Sequence, residues 1–430
     1  MLRWNRRPLA GLEPLLSKRK RLISLNTVWD GYQTHTSDRA TQHVAPKSIC
    51  ESEALETGDR IDSTSLSEQT ASWADTHNSV KRVLDHLKSK QDTGEFFLSD
   101  TVNQKFGEFH RNISDECGAE DKQHSWAVLE KKEAIIMYGP YYPNYNKGEH
   151  SEDTIIRQTQ ELLETEGDPE DWKVYIFTMN SPCLARNTDP CMLKLVHKAQ
   201  EWWRLYGVKT HIGFVRCWGF KGNKENVFKD ISYQQVECIN QSEDFKSYVQ
   251  TAEKALTDAD PLCEAVFCVA KRLLKSEPVK EFPLTTTVQK QDRKSYCKSM
   301  HTKFESKPED ERKVLTQEVR RVTEAAEVLL SDQTGSLEEY LERGSRFILG
   351  HSFASQVCGT LQDEMRLAFQ QCWTEMVQDM YAEFIREKLT EDFNHCTIQL
   401  FIQDILKITA ECLQIGKVEL SEEDPNAFRF

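Results

Sequence analysis

The sequence lacks several features that would place it in a membrane or outside the cell. It has no run of about 18 apolar residues, so we expect no membrane-spanning helix. Its N-terminus, MLRWNRRPLAGLEPLL, lacks the apolar core of a secretory signal, and its 13 cysteines are an odd number at irregular spacing. These absences predict a protein with reduced thiols that is located in the cytoplasm or the nucleus.

Negative charge dominates the chain, but its first residues are basic. The formal net charge of −14 at pH 7 argues against a protein that coats nucleic acid with its whole surface, and it leaves room for a local basic groove. Residues 1–29 hold seven Arg and Lys residues against one acid, Glu13. This basic head is typical of a mitochondrial presequence, of a nuclear signal at Lys18–Arg21 or of a disordered tail.

Hydrophobic spacing divides the chain into four parts. The basic head and a polar linker occupy residues 1–78, and an α/β domain follows at 79–277 with strand and helix patterns in the order β-β-α-β-α-β. A polar, Pro-containing linker at 278–307 separates it from residues 308–430, where helical spacing of apolar residues predicts a helical bundle. Within the α/β domain, YQQVECI at 233–239 is predicted to be a fifth strand.

Four side chains suited to zinc chemistry lie at the ends of these predicted elements. His150 begins the helix after the second strand, Cys183 follows the next strand, and Cys191 begins the next helix. These three side chains would therefore lie together at the carboxyl edge of an α/β sheet. One histidine and two thiolates leave a fourth tetrahedral position open, which is typical of catalytic zinc. Glu152 lies two residues after His150 and is placed to act as a general acid and base.

These residues resemble the zinc-dependent cytidine deaminase superfamily, whose signature is H-x-E followed by P-C-x-x-C. Ser181-Pro182-Cys183 is similar to the AID/APOBEC-like branch. The resemblance covers residues 79–260 and implies a cytidine deaminase-like three-layer α/β/α domain, to which the helical spacing adds a C-terminal all-α helical domain. It also implies Zn²⁺ as cofactor, Glu152 as the catalytic residue, and hydrolytic deamination of cytosine in a nucleotide or single-stranded nucleic acid.

Two positions depart from the family pattern. Seven residues, LARNTDP, separate Cys183 from Cys191 where the family has a shorter gap, so the loop between them must bulge out. Asn180 stands where the polynucleotide-editing branch typically carries a tryptophan. The first departure puts the third metal ligand in question, and the second puts the stacking of a base in question.

The resemblance also predicts five residues that contact the substrate. Asn144 and Asn146 precede the helix of His150 and can hydrogen-bond a sugar or a base edge, while Ser181 belongs to the SPC motif. Trp218 and Phe220, in VRCWGFKG after the fourth strand, offer rings on which a nucleotide can stack. Each has a structural alternative, since loop asparagines often complete turns and aromatic rings often pack at strand ends.

Two further hypotheses keep the fold and change the function. In one, the chain is a catalytically inactive deaminase-fold protein that binds nucleic acid or other proteins, and the C-terminal helical domain recruits a protein partner. The long LARNTDP loop favours this hypothesis. In the other, the enzyme acts on a free nucleoside or nucleotide, which the acidic net charge and Asn180 favour.

Overall fold

The structure is a computed structural model, and it describes most of the chain after residue 62. The described residues are 63–89, 96–117, 122–131, 134–165, 172–186, 188–220, 227–251, 261–284, 299–330 and 334–420. Asp62–Phe430 form one compact unit. The predicted basic head lies outside the described residues, and the predicted domain boundaries stay predictions.

Three helices precede the first strand, strands and helices then follow one another up to residue 216, and helices dominate the rest of the described residues. Strands β1 to β7 occupy Ser125–Lys131, Ala134–Tyr141, Lys173–Asn180, Lys209–Arg216, Phe282–Pro283, Thr334–Gly335 and Leu413–Lys417. Helices α1 to α12 occupy Ser63–Ala74, Thr76–Ser89, Asp100–Ile113, Ser151–Thr165, Cys191–Tyr206, Tyr233–Gln241, Phe245–Thr251, Pro261–Leu274, Glu277–Lys280, Glu309–Ala326, Leu337–Gly350 and Gly359–Thr409. The predicted order β-β-α-β-α-β is confirmed in β1, β2, α4, β3, α5 and β4.

Five strands form the central sheet in the order β2-β1-β3-β4-β7. β1 pairs antiparallel with β2 and with β3, whereas β4 runs parallel to both β3 and β7. The carboxyl ends of β3 and β4 therefore reach the same edge of the sheet. This is the edge at which α/β proteins build their binding sites.

Helices cover both faces of the sheet, which gives the three layers of the predicted fold. On one face, the rings of Trp126 and Phe177 stack 4.7 Å apart and pack against Phe106 of α3. Successive residues of a strand point to opposite faces, so Ser125 lies on the other face, where its hydroxyl meets that of Ser151 in α4. The predicted three-layer α/β/α arrangement is confirmed.

The fifth strand of the sheet is β7, and the prediction of a strand at 233–239 is wrong. That segment is α6, which begins with a capping box formed by Ser232 and Gln235. The reciprocal bonds of a capping box fix a helix start, and Val236 and Ile239 bury one face of the helix. The chain instead returns to the sheet after α12.

A pair of glycines lets β7 dock at the edge of β4. Gly213 of β4 lies opposite Gly416 of β7. A Cβ atom on Gly416 would come within 2.7 Å of the carbonyl oxygen of Phe96, and one on Gly213 within 2.5 Å of a methyl carbon of Val418. Because neither position has room for a side chain, glycine is what allows the last strand to complete the sheet.

The C-terminal region is helical, as predicted, and its longest helix touches the sheet. α12 spans 51 residues, and its buried positions include Met365, Met376 and Met380. It packs along β7 and along α1 and α2. α1 itself lies in the predicted linker, and its Trp73 is fully buried with its ring 5.6 Å from that of Phe401. Among the described residues, no helix is long and apolar enough to cross a membrane.

Candidate metal centre

His150 is set in place by a tight turn and by the start of α4. Asn144 and Glu149 close the turn through backbone hydrogen bonds of 2.8 and 3.1 Å, and Gly148 inside it takes a left-handed φ of 62°. The backbone N–H of His150 then donates to Asp153 Oδ2 at 3.0 Å. His150 is half-buried and stands at the carboxyl edge of the sheet.

The two cysteines approach this histidine from β3 and α5. Cys183 follows β3 and is 1% exposed, and Cys191 is the first residue of α5 and is fully buried. The Cys191 N–H donates to Cys183 Sγ at 3.3 Å, and the Met192 N–H donates to the Cys183 carbonyl at 3.0 Å. Donors at a helix N-terminus stabilise negative charge, so this position favours a thiolate at Cys183.

The three predicted ligands come together. His150 Nδ1 lies 3.7 Å from Cys183 Sγ and 3.5 Å from Cys191 Sγ, and all three ligand atoms lie within 4.8 Å of one another. Tetrahedral zinc with bonds of about 2.0–2.1 Å to nitrogen and 2.3 Å to sulfur would place nitrogen and sulfur about 3.6 Å apart. The cluster therefore has the size and the donors of a metal site.

A family model described as Secreted Novel AID/APOBEC-like Deaminase 3 matches residues 38–415. The chain belongs to this family. The match confirms the resemblance to the AID/APOBEC-like branch and extends through the whole of α12 into β7. Comparisons with curated proteins and with solved structures give no match.

The description of this Secreted Novel AID/APOBEC-like Deaminase family corrects one prediction. The family description calls its members secreted. The cytoplasmic or nuclear location that we predicted from the cysteines and the N-terminus is therefore wrong, and so is the mitochondrial alternative. Eleven cysteines of the described residues are free, and several, such as Cys372 and Cys396, are buried. A buried thiol can pack as a small apolar group in any compartment, which is why the cysteine pattern misled.

Arg186 resolves the question raised by the LARNTDP loop. Its guanidinium folds back from the loop, where Nη1 donates to Cys191 Sγ at 3.2 Å and to Asp153 Oδ2 at 2.9 Å. Nη2 donates to the Gly148 carbonyl at 2.8 Å. One side chain thus ties the loop to Cys191, to α4 and to the turn before His150. The longer gap does not displace Cys191 from the cluster.

Asp153 is the acidic partner that holds this arrangement. It accepts from Arg186 and from Lys194 Nζ, at 2.9 and 3.1 Å. Burial opposes its ionisation, yet hydrogen bonds from Arg186, from the His150 N–H and from Lys194 hold the pKa of Asp153 below its usual value. Asp153 therefore stays ionised and links α4, α5 and the loop between the two cysteines.

The two thiols compete for one proton. The hydrogen bond that they share lowers the pKa of Cys183 and raises the pKa of Cys191, and burial and nearby carboxylates raise the latter further. The hydrogen bond to Cys183 also raises the pKa of His150. Two thiolates this close repel each other, so a second ionisation needs a cation. A metal ion and the guanidinium of Arg186 are cations suited to that role.

Glu152 lies beside the cluster on the first turn of α4 and is 3% exposed. Ser151 Oγ donates to Glu152 Oε2 at 3.0 Å. Because a hydroxyl has only one proton to donate, the hydroxyl of Ser125, 2.6 Å away, must be the donor to Ser151 Oγ. Burial raises the pKa of Glu152, and the negative charge on Cys183 raises it further. The carboxyl is thus fixed in orientation and disposed to hold a proton.

The residues predicted to bind substrate are distributed around the same edge. Asn144 is half-buried in the turn, and Asn146 is exposed within it. Ser181 is 1% exposed, and its hydroxyl donates to the Trp218 carbonyl at 2.8 Å and accepts from the Trp218 N–H at 2.9 Å. Ser181 therefore joins the loops after β3 and β4, while the Trp218 ring stays half-buried beside them.

Phe220 is placed differently from the prediction. It is fully buried, and its ring centroid lies 6.2 Å from that of Phe393 in α12. Its carbonyl accepts from the N–H groups of Leu184 and Ala185, at 2.7 and 2.6 Å. A ring buried in this way has no face on which a base can stack, so the structural alternative applies to Phe220.

Sequence reasoning missed Arg186, Asp153 and Lys194 because none belongs to the H-x-E or P-C motifs. The only signal for Arg186 was its place in the loop that departs from the family pattern.

Asn180 has a buried side-chain acceptor, since its Oδ1 atom is buried and has no hydrogen-bond partner among the described residues. A buried acceptor of this kind is suited to an N–H donor from a ligand.

Proposed function

We propose that this protein is a zinc-dependent hydrolytic deaminase that acts on cytosine in a nucleotide or in a single-stranded nucleic acid. The observation that carries the proposal is the convergence of His150, Cys183 and Cys191 beside the buried carboxyl of Glu152. Three protein donors with a neighbouring acid that binds no metal are the arrangement that hydrolytic removal of an amine from a base requires.

The donor set fits zinc. One imidazole and two thiols are ligands that zinc accepts, and the separations of 3.7 and 3.5 Å between His150 Nδ1 and the two sulfurs match a tetrahedral site. Bound zinc would supply a water molecule whose pKa is lowered towards ~7. Arg186, which donates to Cys191 Sγ, would offset part of the charge of the two thiolates.

Glu152 would move the proton. Deamination replaces the exocyclic amine of the base with the oxygen of water and releases ammonia, so one proton of water has to reach the ring nitrogen and the other the departing amine. The carboxylate of Glu152 can accept and deliver each proton in turn, because burial raises its pKa. The hydroxyl of Ser151 keeps the carboxyl oriented during both transfers.

Several side chains could hold the base. The half-buried Trp218 ring offers a stacking surface beside the loop of Cys183, and Asn144 and Asn146 offer amides at the turn before His150. The buried Asn180 Oδ1 offers an acceptor for an N–H group such as the exocyclic amine. This set suits a cytosine in a strand or in a free nucleotide.

The second candidate is an inactive deaminase-fold protein that recruits a partner through its helices. The observation that favours it is the exposure of two apolar side chains in the helical region, Leu349 at 65% in α11 and Leu367 at 67% in α12. The LARNTDP loop no longer favours it, because Cys191 lies within the ligand cluster.

One experiment separates the two candidates. Purified protein with measured zinc content is incubated with cytidine, with a cytidine nucleotide, and with cytosine-containing single-stranded DNA and RNA, and uracil formation is assayed. Glu152→Gln should keep its zinc and lose at least ~100-fold in rate, since general acid–base catalysis contributes that much. Glu164→Gln, on the exposed side of the same helix, is the matched control and should retain full activity.

Retained activity in Glu152→Gln would overturn the catalytic assignment. Zinc-loaded wild-type protein that forms no uracil from any of these substrates would overturn the proposed function and favour the recruiting protein.

A further inference from the structure

A cleft of about 620 Å³ lies between α4 and α5, beside the metal centre. One wall is α4, which contributes residues at helical spacing such as Arg157 and Glu161, and the other is α5, which contributes Lys194 and Lys198. The turn before His150 and the loop of Arg186 close one end. The lining residues include neither the three ligands nor Glu152, so the cleft is a separate cavity.

Basic side chains outnumber acidic ones in the cleft. Five lining residues are basic, against three acids. The basic residues are Lys147, Arg157, Arg186, Lys194 and Lys198. The chain as a whole carries a net charge of −14, so this concentration of positive charge opposes the overall balance of the protein.

The acids of the cleft do not cancel this charge. Asp153 is shared between Arg186 and Lys194, at 2.9 and 3.1 Å, so two cations face one carboxylate. Glu161 accepts a hydrogen bond of 2.9 Å from the neutral amide of Gln158 and keeps its negative charge. Lys198 pairs with Glu201, at 2.8 Å, which does not line the cleft. Glu149 and Glu161 are the two remaining lining acids, and neither forms an ion pair with Lys147 or Arg157 among the described residues.

Two of the cations have no acidic partner among the described residues. Lys147 is exposed in the turn before α4, and Arg157 is exposed on α4. An unpaired Arg on the wall of a cleft can bind a phosphate through two parallel hydrogen bonds, and a Lys nearby adds a point charge. The cavity volume is in the range of pockets that hold small ligands.

We infer that this cleft binds the phosphate groups of a nucleotide or of a nucleic-acid strand. The choice of phosphate over other anions rests on the proposed function, because the proposed substrates carry phosphates and the cleft lies next to the metal centre. Lys147 and Arg157 supply the unpaired charge. Lys198 lies on the facing helix, and Arg186 forms the end of the cleft nearest to Cys191.

The test measures binding rather than turnover. Cytidine triphosphate and a single-stranded oligocytidylate of about ten nucleotides are titrated against the zinc-loaded protein, with cytidine as the phosphate-free reference. The double variant Lys147→Glu and Arg157→Glu should bind at least one phosphate-bearing probe ~10-fold more weakly and leave cytidine binding unchanged. Neither side chain touches a predicted metal ligand, so the zinc content should not change.

Arg111→Glu is the matched control, because Arg111 is an exposed residue of α3, on the opposite face of the sheet. It should bind both probes as the wild type does. If charge reversal lowers the thermal stability of the double variant, the milder pair Lys147→Gln and Arg157→Gln takes its place.

The two probes identify the source of the phosphate. Weaker binding of the oligonucleotide alone assigns the cleft to a strand, and weaker binding of the triphosphate alone assigns it to a free nucleotide. Unchanged binding of both probes would overturn the inference even if uracil formation is observed. Loss of phosphate binding in a variant of a protein that never forms uracil would support the cleft and leave the proposed function refuted.

Discussion

The metal centre and the neighbouring cleft differ in how their charges are balanced. At the metal centre the charged groups have partners, since Arg186 meets Cys191 and Asp153, and Asp153 also meets Lys194. In the cleft, Lys147 and Arg157 are exposed and have no acidic partner among the described residues. Balanced charge suits a site that must be rigid, and unbalanced charge suits a site that must receive an anion.

Arg186 and Asp153 form the wall between the two regions. Arg186 donates to Cys191 Sγ on one side and lines the cleft on the other, and Asp153 accepts bonds from both regions. Substitutions of the metal ligands should therefore change only zinc binding. Substitutions on the side of the cleft away from the ligands should change only anion binding. Substitutions of Arg186 or Asp153 should affect both zinc binding and anion binding. The direction of each effect should follow from the charge that is added or removed.

The largest effect is expected from the ligand cysteines. Cys183→Ser or Cys191→Ser should reduce bound zinc from about one ion per chain to nearly none, because a hydroxyl is a poor substitute for a thiolate ligand. Metal analysis after dialysis measures this. Cys396→Ser, a buried cysteine of α12, should keep its zinc. Phosphate binding in the cleft should survive in all three variants, and its loss together with the metal would show that the two regions are one site.

An intermediate effect is expected from Arg186→Lys. A lysine keeps the positive charge but cannot reach Cys191, Asp153 and the Gly148 carbonyl at once. Zinc affinity, measured by competition with a chromophoric chelator, should fall about 10-fold or more, as for other changes to groups that support metal ligands. Arg157→Lys, across the cleft, is the control and should bind zinc normally. Equal affinities in the two variants would mean that Arg186 does not support Cys191.

The smallest effect, and the most discriminating, is expected from Asp153→Asn. Losing the carboxylate frees two cations and weakens the hold on the His150 N–H, so zinc affinity should fall up to about 10-fold. The same change removes a negative charge from the cleft, so phosphate binding should strengthen a few-fold.

Glu161→Gln is the control for Asp153→Asn, because Glu161 lies on the cleft wall and makes no contact with the ligands. It should strengthen phosphate binding without changing zinc affinity. A change of the same sign in both affinities for Asp153→Asn would contradict the separation of the two regions.

The site was largely predictable because its chemistry lies in short motifs at the ends of predictable elements. His150, Glu152, Cys183 and Cys191 each follow a strand or begin a helix, and parallel strands bring such positions to one edge. Arg186 was not predictable, since its role depends on how an irregular loop folds back. Phe220 was misjudged because the packing partner of its ring, Phe393, is distant in the sequence and belongs to the helical region.

The fold was predictable where contacts are local and less so where they are distant. The order of strands and helices from β1 to β4 followed from alternation and helical spacing, whereas β7 joins the sheet nearly 200 residues after β4, its neighbour in the sheet. Five residues with two interior apolar positions give little signal as a strand. The close contacts of Gly213 with Val418 and of Gly416 with Phe96 become visible only when the two strands are paired.

The central claim, that one histidine and two cysteines hold a catalytic zinc ion, is tested most directly by zinc X-ray absorption on the purified protein. We expect two sulfur ligands at about 2.3 Å and two nitrogen or oxygen ligands at about 2.0–2.1 Å, one of which is exchangeable. Arg157→Lys should give the same spectrum, and Cys191→Ser should abolish it through loss of the metal. A spectrum of four sulfur ligands, or of none, would contradict the account.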